Sequence, residues 1–144
     1  MTKAYSEMLG LRSLLLLISL TILFPLQSLR AAEPQTKDAL EWVTLVDSGA
    51  FDQSWMEASS LFKGAVTQEQ WRILIPTVRK PLGPVVSRSL KSITPHTQLP
   101  GAPDGHYRVL QFETRFAQKQ SAVETIVLML EASRGWRVSG YFIR

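Results

Sequence analysis

Apolar residues recur with two different periods along this chain, first a helical period and then a strand period. From Asp38 onward the apolar residues fall three and four positions apart, so they share one face of a predicted helix that ends at Gly49. The residues of that face are Ala39, Trp42, Val43 and Val46. The same spacing predicts a second, shorter helix through Phe51, Trp55, Ala58 and either Leu61 or Phe62.

A third helix has the strongest local signals. Thr67 and Gln70 have the spacing of a capping box, in which the hydroxyl accepts one backbone N–H and the amide side chain reaches back to another. Val66 and Trp71 occupy the two positions of a hydrophobic staple around that cap. Pro76 has no amide hydrogen to donate, so we expect the helix to kink or to end early there.

After Val85 the apolar positions alternate, which is typical of β-strands. Four strands are predicted, at 85–97, 106–116, 122–131 and 136–143. Pro95 cannot donate to a ladder, which places the first strand at an edge of the sheet. The last two links are of hairpin length, so the sequence predicts an α+β fold with three helices packed on one face of a curled four-stranded antiparallel meander.

The length of the link between the second and third strands predicts their register. It pairs Phe116 with Ala122 and Phe112 with Ile126, and Glu124 then shares the inward face with apolar residues. Glu124 is therefore the polar residue that conflicts most with its predicted surroundings.

The third strand is apolar on its outward side as well, at Val123, Val127 and Met129. A strand with two apolar faces should be covered on both. We therefore expect a partner surface there, and the simplest partner is a second copy of the chain. The alternative is a few exposed apolar side chains on a monomer.

The N-terminus has the proportions of a secretory signal. Lys3 and Arg12 precede an apolar run that is shorter than the ~20 residues of a comfortable bilayer span, and the small residues of "RAAEP" follow. We expect export to the periplasm or the medium of a bacterium, and membrane attachment only if this segment stays uncleaved as an anchor. The predicted organisation is a signal or anchor at 1–31, a leader at 32–37 and one α+β domain at 38–144.

Charge and cysteine content exclude several classes of function. Three of the 16 basic residues and one of the 12 acidic residues lie within 1–31, so the remainder carries a formal charge of only +2. Basic residues such as Arg88 are scattered singly among acids, which is typical of solvated charges and not of a nucleic-acid-binding stripe. The absence of cysteine excludes disulfides, thiolate nucleophiles and cysteine-ligated metals.

The segment "LPGAPDG" before the second strand resembles an active-site loop but is explained by turn chemistry. Pro100-Gly101 and Asp104-Gly105 are turn dipeptides, and Gly105 is predicted to adopt positive φ. His96, His106 and Asp104 could together hold zinc, but no supporting partners are visible, and two solvated histidines are the better interpretation. Phosphate loops and nucleophile elbows are absent, and we expect no cofactor.

Six large apolar residues could line a pocket for a small hydrophobic ligand: Trp42, Trp55, Trp71, Phe112, Leu128 and Trp136. The alternative is that the tryptophans fill the core, each indole N–H bonded to a carbonyl.

Five stretches together resemble a family of exported bacterial proteins called domain of unknown function 4019. They are "LVDSGAFDQSW", "RKPLGPVVSR", "LPGAPDGHY", "ETIVLMLE" and "GWRVSGYFIR". The resemblance implies a small cone-like domain similar to the nuclear-transport-factor-2-like superfamily, and it implies no activity.

Two functions follow as hypotheses. The first is an exported, non-catalytic binding or accessory domain. The second is a small enzyme of the isomerase or dehydratase type, because ketosteroid-isomerase-like relatives of the implied fold use a buried acid for proton transfer and apolar neighbours would raise the pKa of Glu124. Tyr141 is the nearby residue that could assist such a base. In the non-catalytic case Glu124 would accept bonds from a helix terminus or from an arginine such as Arg79.

Overall fold

The computed structural model describes residues 34–144 and confirms the α+β class. The helices are α1 (Pro34–Asp47), α2 (Phe51–Glu57), α3 (Ser60–Ala65) and α4 (Gln68–Arg79), followed by a 3₁₀ turn at Lys80–Leu82. The strands are β1 (Val85–His96), β2 (Tyr107–Phe116), β3 (Lys119–Glu131) and β4 (Gly135–Ile143). They form one curled antiparallel sheet in the order β1-β2-β3-β4. The predicted signal at 1–31 lies outside the described residues.

Helix α1 begins at Pro34, four positions before the predicted start at Asp38, so part of the predicted leader is helical. Proline suits the first position of a helix because the amide hydrogen it lacks would have no partner there. Within residues 34–144, no helix combines the length and apolar character that crossing a membrane requires.

The number of helices differs from the prediction, because the second predicted helix is two helices separated at Ala58 and Ser59. Ala58 is extended, and the Ser59 side chain accepts a hydrogen bond from the Phe62 N–H at 3.1 Å. The Ser59 N–H donates to the Val138 carbonyl of β4 at 2.8 Å. The cap and the bond to the sheet therefore replace one turn of continuous helix.

The capping box predicted for the next helix is confirmed in α4. Gln70 N–H donates to the Thr67 hydroxyl, and Thr67 N–H donates to the Gln70 side chain. Pro76 does not end this helix, which continues to Arg79. The helix loses one backbone donor there, because proline has no amide hydrogen.

The predicted register of β2 and β3 is wrong by two residues. Leu110 pairs with Ile126, and Phe112 pairs with Glu124. The cause is a tight turn at 117–118 that lets β3 begin at Lys119. Side chains alternate with a period of two, so a two-residue shift leaves every residue on its predicted face.

Helices and strands share one apolar core. Its buried residues are Ala39, Trp42, Val43, Val46, Ala58, Phe62, Trp71, Ile75, Leu110, Phe112, Ile126, Leu128 and Val138. The α1 helix contacts β2, β3 and β4, and α3 contacts β4. This core holds the inward face of the sheet on which Glu124 lies.

The prediction of positive φ at Gly105 is wrong. It is Gly101, in the same loop, that has a φ of 75°. Gly105 donates its N–H to the Thr97 carbonyl at 2.9 Å, and a Cβ there would make only ordinary contact with the Tyr107 ring. The strain expected for a larger residue at Gly105 is therefore absent.

Candidate functional site

Glu124 is completely buried and both of its carboxylate oxygens accept hydrogen bonds. Arg88 donates from Nε to Oε2 at 2.6 Å and from Nη2 to Oε1 at 3.1 Å. The Thr114 hydroxyl donates to Oε2 at 2.6 Å, and the Tyr141 hydroxyl donates to Oε1 at 2.5 Å. The prediction that Glu124 points inward is confirmed, but donors surround it where apolar neighbours were expected.

The Glu124 contacts extend into a wider polar network that joins six elements. Arg88 also donates to Asp47, with 2.7 Å between Nη1 and Oδ2. Arg79 donates to Asp47 Oδ1 at 2.7 Å and to the Tyr141 hydroxyl at 3.1 Å. The arginine that binds Glu124 is therefore Arg88 and not Arg79. We call this set the buried ion network; its members are Asp47, Arg79, Arg88, Thr114, Glu124 and Tyr141.

Arg88 is the main member that sequence reasoning missed. It was interpreted as a solvated charge, whereas 9% of its side chain is exposed. Its Cα pairs with that of Thr114 across β1 and β2, which brings it to Glu124. The polar pattern of β1 gives no sequence signal for this, because its partners are 36 and 41 positions away.

The network shifts the pKa of Asp47, Arg88 and Tyr141 in directions that keep it intact at neutral pH. Burial alone would raise the pKa of Asp47, but hydrogen bonds from Arg88 and Arg79 outweigh it and hold that pKa below its ordinary value. Burial, with the Glu124 charge second, raises the pKa of Tyr141 well above its ordinary value, so the hydroxyl stays protonated and donates. Burial alone would lower the pKa of Arg88, but hydrogen bonds to Asp47 and Glu124 raise it.

This geometry leaves both oxygens of Glu124 engaged by donors. A general base needs a lone pair within reach of the proton it removes. Glu124 has no exposed surface, and four donors already occupy its two oxygens. Tyr141 does lie beside it as anticipated, but its hydroxyl proton points to the carboxylate.

The three helical tryptophans bond their indole nitrogens inside the domain. Trp42 donates to the Ser54 carbonyl at 2.8 Å, and Trp71 donates to the Ser54 hydroxyl at 2.9 Å. Trp55 donates to the Val66 carbonyl at 2.8 Å. Their arrangement agrees with the core-filling alternative, with one hydroxyl acceptor in place of a carbonyl.

The six residues predicted to line one pocket do not lie together. Trp42, Leu128 and Trp136 line a cleft of about 210 Å³ between α1 and β4, which we call the α1–β4 cleft. Trp71 lines a separate apolar groove of about 200 Å³ beside α4, and Phe112 lies in the core. The full lining of the cleft is Asp38, Glu41, Trp42, Leu45, Glu57, Leu128, Trp136, Arg137 and Val138.

The α1–β4 cleft combines aromatic walls with a charged rim. Trp42 of α1 is almost fully buried, whereas Trp136 of β4 is half-buried. Arg108, which is not part of the lining, stacks on the Trp136 ring with its Cζ 5.0 Å from the ring centroid. The acids of the rim were not singled out from the sequence, although Asp38 lies one helical turn before Trp42 and shares its side of α1.

The weak zinc candidates lie at the far end of β1. His96 and His106 line a shallow depression that also contains Arg108, and Asp104 is not among its lining residues. Asp104 instead lies 3.4 Å from the Gln98 amide nitrogen. Within residues 34–144, no three histidine, aspartate or glutamate side chains are grouped as a metal site requires.

Comparison with known proteins identifies a family and nothing beyond it. The model of a family described as "Protein of unknown function (DUF4019)" matches residues 38–141. No curated protein and no solved structure matches the chain.

Proposed function

The chain belongs to the DUF4019 family of proteins of unknown function, and we propose that it is a non-catalytic binding domain whose ligand site is the α1–β4 cleft. The observation that carries this proposal is the cleft itself, a concave site with two tryptophans, three aliphatic residues and a few convergent charged groups. Binding sites for small molecules have this composition, with apolar walls and a small number of polar groups that fix orientation.

The buried ion network argues against the enzyme alternative. An isomerase or dehydratase of the anticipated type would need Glu124 as an accessible base, and Glu124 is enclosed by Arg88, Thr114 and Tyr141. Because Glu124 is the one acidic residue without exposed surface among residues 34–144, no second buried acid is available there to take its place.

The proposal places this domain outside the cytoplasm of a bacterium. Its support is the basic start and the short apolar run at the N-terminus. We also propose that the curled sheet and the helices on its inward face form a cone similar to the nuclear-transport-factor-2-like superfamily. The shared core of helical and strand residues supports that arrangement.

A second copy of the chain is proposed as a partner for the outward face of the sheet. The outward residues Val123, Val127 and Met129 are half-buried. Phe142, which pairs with Thr125 on the same face, is 57% exposed and adds an aromatic ring to the patch. An apolar patch that lies on the sheet and not over the cleft leaves the proposed ligand site open.

Nuclear magnetic resonance tests the ligand site, because the four indole N–H groups are separate reporters. A panel of small amphipathic molecules should perturb the signals of Trp42 and Trp136, and leave that of Trp55 unchanged because Trp55 does not line the cleft. Leu45→Phe should fill the cleft and abolish the perturbation. The matched control is Leu40→Phe on the same helix, outside the lining. Perturbation of Trp55 alone, or an unchanged response in Leu45→Phe, would contradict the proposal.

A further inference from the structure

We propose that the α1–β4 cleft binds a small organic ammonium ion that carries a short apolar chain. This inference rests on the proposed binding function and names its ligand class. It is carried by an unpaired carboxylate that lines the same cleft as two indole rings.

Most of the charged residues that line the cleft are paired with an opposite charge. Glu41 lies 3.6 Å from the Lys37 ammonium, and Glu57 lies 3.4 Å from an Arg137 guanidinium nitrogen. Asp38 has no ion pair and no side-chain hydrogen bond within residues 34–144. Each glutamate of the lining is thus paired with a cation, and Asp38 is the lining acid that remains available to a ligand.

Two tryptophan side chains form the aromatic wall of the cleft. The face of an indole attracts a cation through its quadrupole, more strongly than other aromatic side chains do. Trp136 already holds one cation in this way, the Arg108 guanidinium that stacks on it from outside the lining of the cleft. Asp38, Trp42 and Trp136 line the same cleft, so a ligand ammonium there would meet a carboxylate and aromatic side chains together.

The size of the cleft limits the ligand to a small molecule or a single side chain. The cleft has a volume of about 210 Å³, which is below the ~300 Å³ at which drug-sized pockets begin. Leu128 and Val138 form the apolar part of the lining on the sheet side. A few methylene groups therefore fit below an ammonium that stays at the rim. A free alkylamine and a lysine side chain of a peptide share this chemistry.

The test compares three probes that share a short alkyl chain and carry a cationic, a neutral or an anionic head group, using the full protein and the indole signals of Trp42 and Trp136. The probes are n-butylammonium, 1-butanol and butyrate, at constant ionic strength. For so few atoms we expect a dissociation constant of about 1 mM for n-butylammonium. We expect 1-butanol to bind at least about fivefold more weakly than n-butylammonium, and we expect no binding of butyrate. An acetylated and amidated Gly-Lys-Gly peptide distinguishes the sources: tighter binding than n-butylammonium indicates a peptide lysine, and weaker binding indicates a free amine.

Two variants localise the charge effect. Asp38→Asn should weaken n-butylammonium binding about fivefold while leaving 1-butanol binding unchanged. The matched control is Glu113→Gln, which removes an exposed acid that is paired with Lys91 on the sheet, and it should bind as the wild type does. If Asp38→Asn melts early, the preference of the wild-type protein for n-butylammonium over 1-butanol decides alone.

The two proposals fail in different ways. Equal binding of n-butylammonium and 1-butanol, or tighter binding of butyrate, would overturn the ammonium class and keep the cleft as a binding site. A complete lack of response at Trp42 and Trp136 to all three probes would overturn both this inference and the ligand site on which it depends.

Discussion

At the scale of single residues, the strongest constraint in this domain is the burial of a charge. Glu124 and Arg88 lie inside the domain, where an unpaired charge costs several kcal/mol. The pair is tolerated because Thr114 and Tyr141 complete the hydrogen bonds of the carboxylate. Polar replacement of one member is therefore more harmful than apolar replacement of both.

Glu124→Gln should destabilise the protein by about 3–5 kcal/mol, because Arg88 is left with Asp47 as its single carboxylate partner and the amide turns its own donors toward other donors. Thermal melting and urea unfolding measure the loss. The exposed acid Glu113, changed to Gln, serves as control and should leave the melting temperature nearly unchanged. Wild-type stability in Glu124→Gln would contradict a structural role and reopen the enzyme hypothesis.

Asp47 should make the stability of the protein depend on pH in the acidic range. Its pKa is below its ordinary value in the folded protein because of the bonds from Arg88 and Arg79, which outweigh burial. Its contribution is therefore complete above the unfolded pKa of about 3.9 and is lost as the pH falls through the lower, folded value.

In urea unfolding measured from pH 6 down to pH 2, Asp47→Asn should be less stable than the wild type at pH 6, and the difference should shrink below about pH 4. Glu131 contributes in the same window, since hydrogen bonds from Ser60 outweigh its burial and lower its pKa. The pH dependence of the stability is therefore smaller in Asp47→Asn than in the wild type, but it is not removed. A constant difference between the two proteins at every pH would contradict this assignment.

At the scale of elements, the sequence predicted what local chemistry determines. The capping box at Thr67 and the alternation in β2 involve neighbours in the chain, and both were predicted correctly. The break at Ser59 was not predicted, because it depends on a bond to Val138 that is 79 positions away. The site was predicted least well, since Arg88 and Asp47 meet only after the sheet and α1 have packed together.

Ser59→Ala should destabilise the protein by about 1–2 kcal/mol, because the Phe62 N–H loses its acceptor in a buried position. Thr67→Ala removes the more exposed cap of α4 and should cost about 1 kcal/mol. Urea unfolding compares the two. An increase in stability for Ser59→Ala would mean that a continuous helix through 51–62 is the better structure.

At the scale of the whole molecule, the two faces of the sheet have different surroundings. The inward face shares the core with the helices, whereas the outward face carries half-buried apolar residues and the exposed Phe142. The Phe142 ring lies over Gly140, where a Cβ would come within 3.1 Å of it. Part of the patch is thus covered by the chain itself, and the remainder is the surface proposed for a second copy.

Light scattering at tens of micromolar should give the mass of a dimer for the wild-type protein and of a monomer for Val127→Lys. The lysine places a charge in the middle of the outward patch and leaves the inward face unchanged. Lys91→Glu, on the edge strand β1, is the control for an unspecific effect of charge. A monomeric mass for the wild-type protein would contradict the proposed homodimer.

The buried ion network ends two helices in an unusual way. Asp47 is the last residue of α1, and Arg79 is the last residue of α4. Helix ends normally fray, so their amide hydrogens exchange with solvent through small local openings. Here fraying of either end would break ion pairs of a network that draws on all four strands, so both last turns should open only together with the sheet. Their amide hydrogens should therefore exchange at a rate set by global unfolding, whereas the N-terminal turn of α1 exchanges faster.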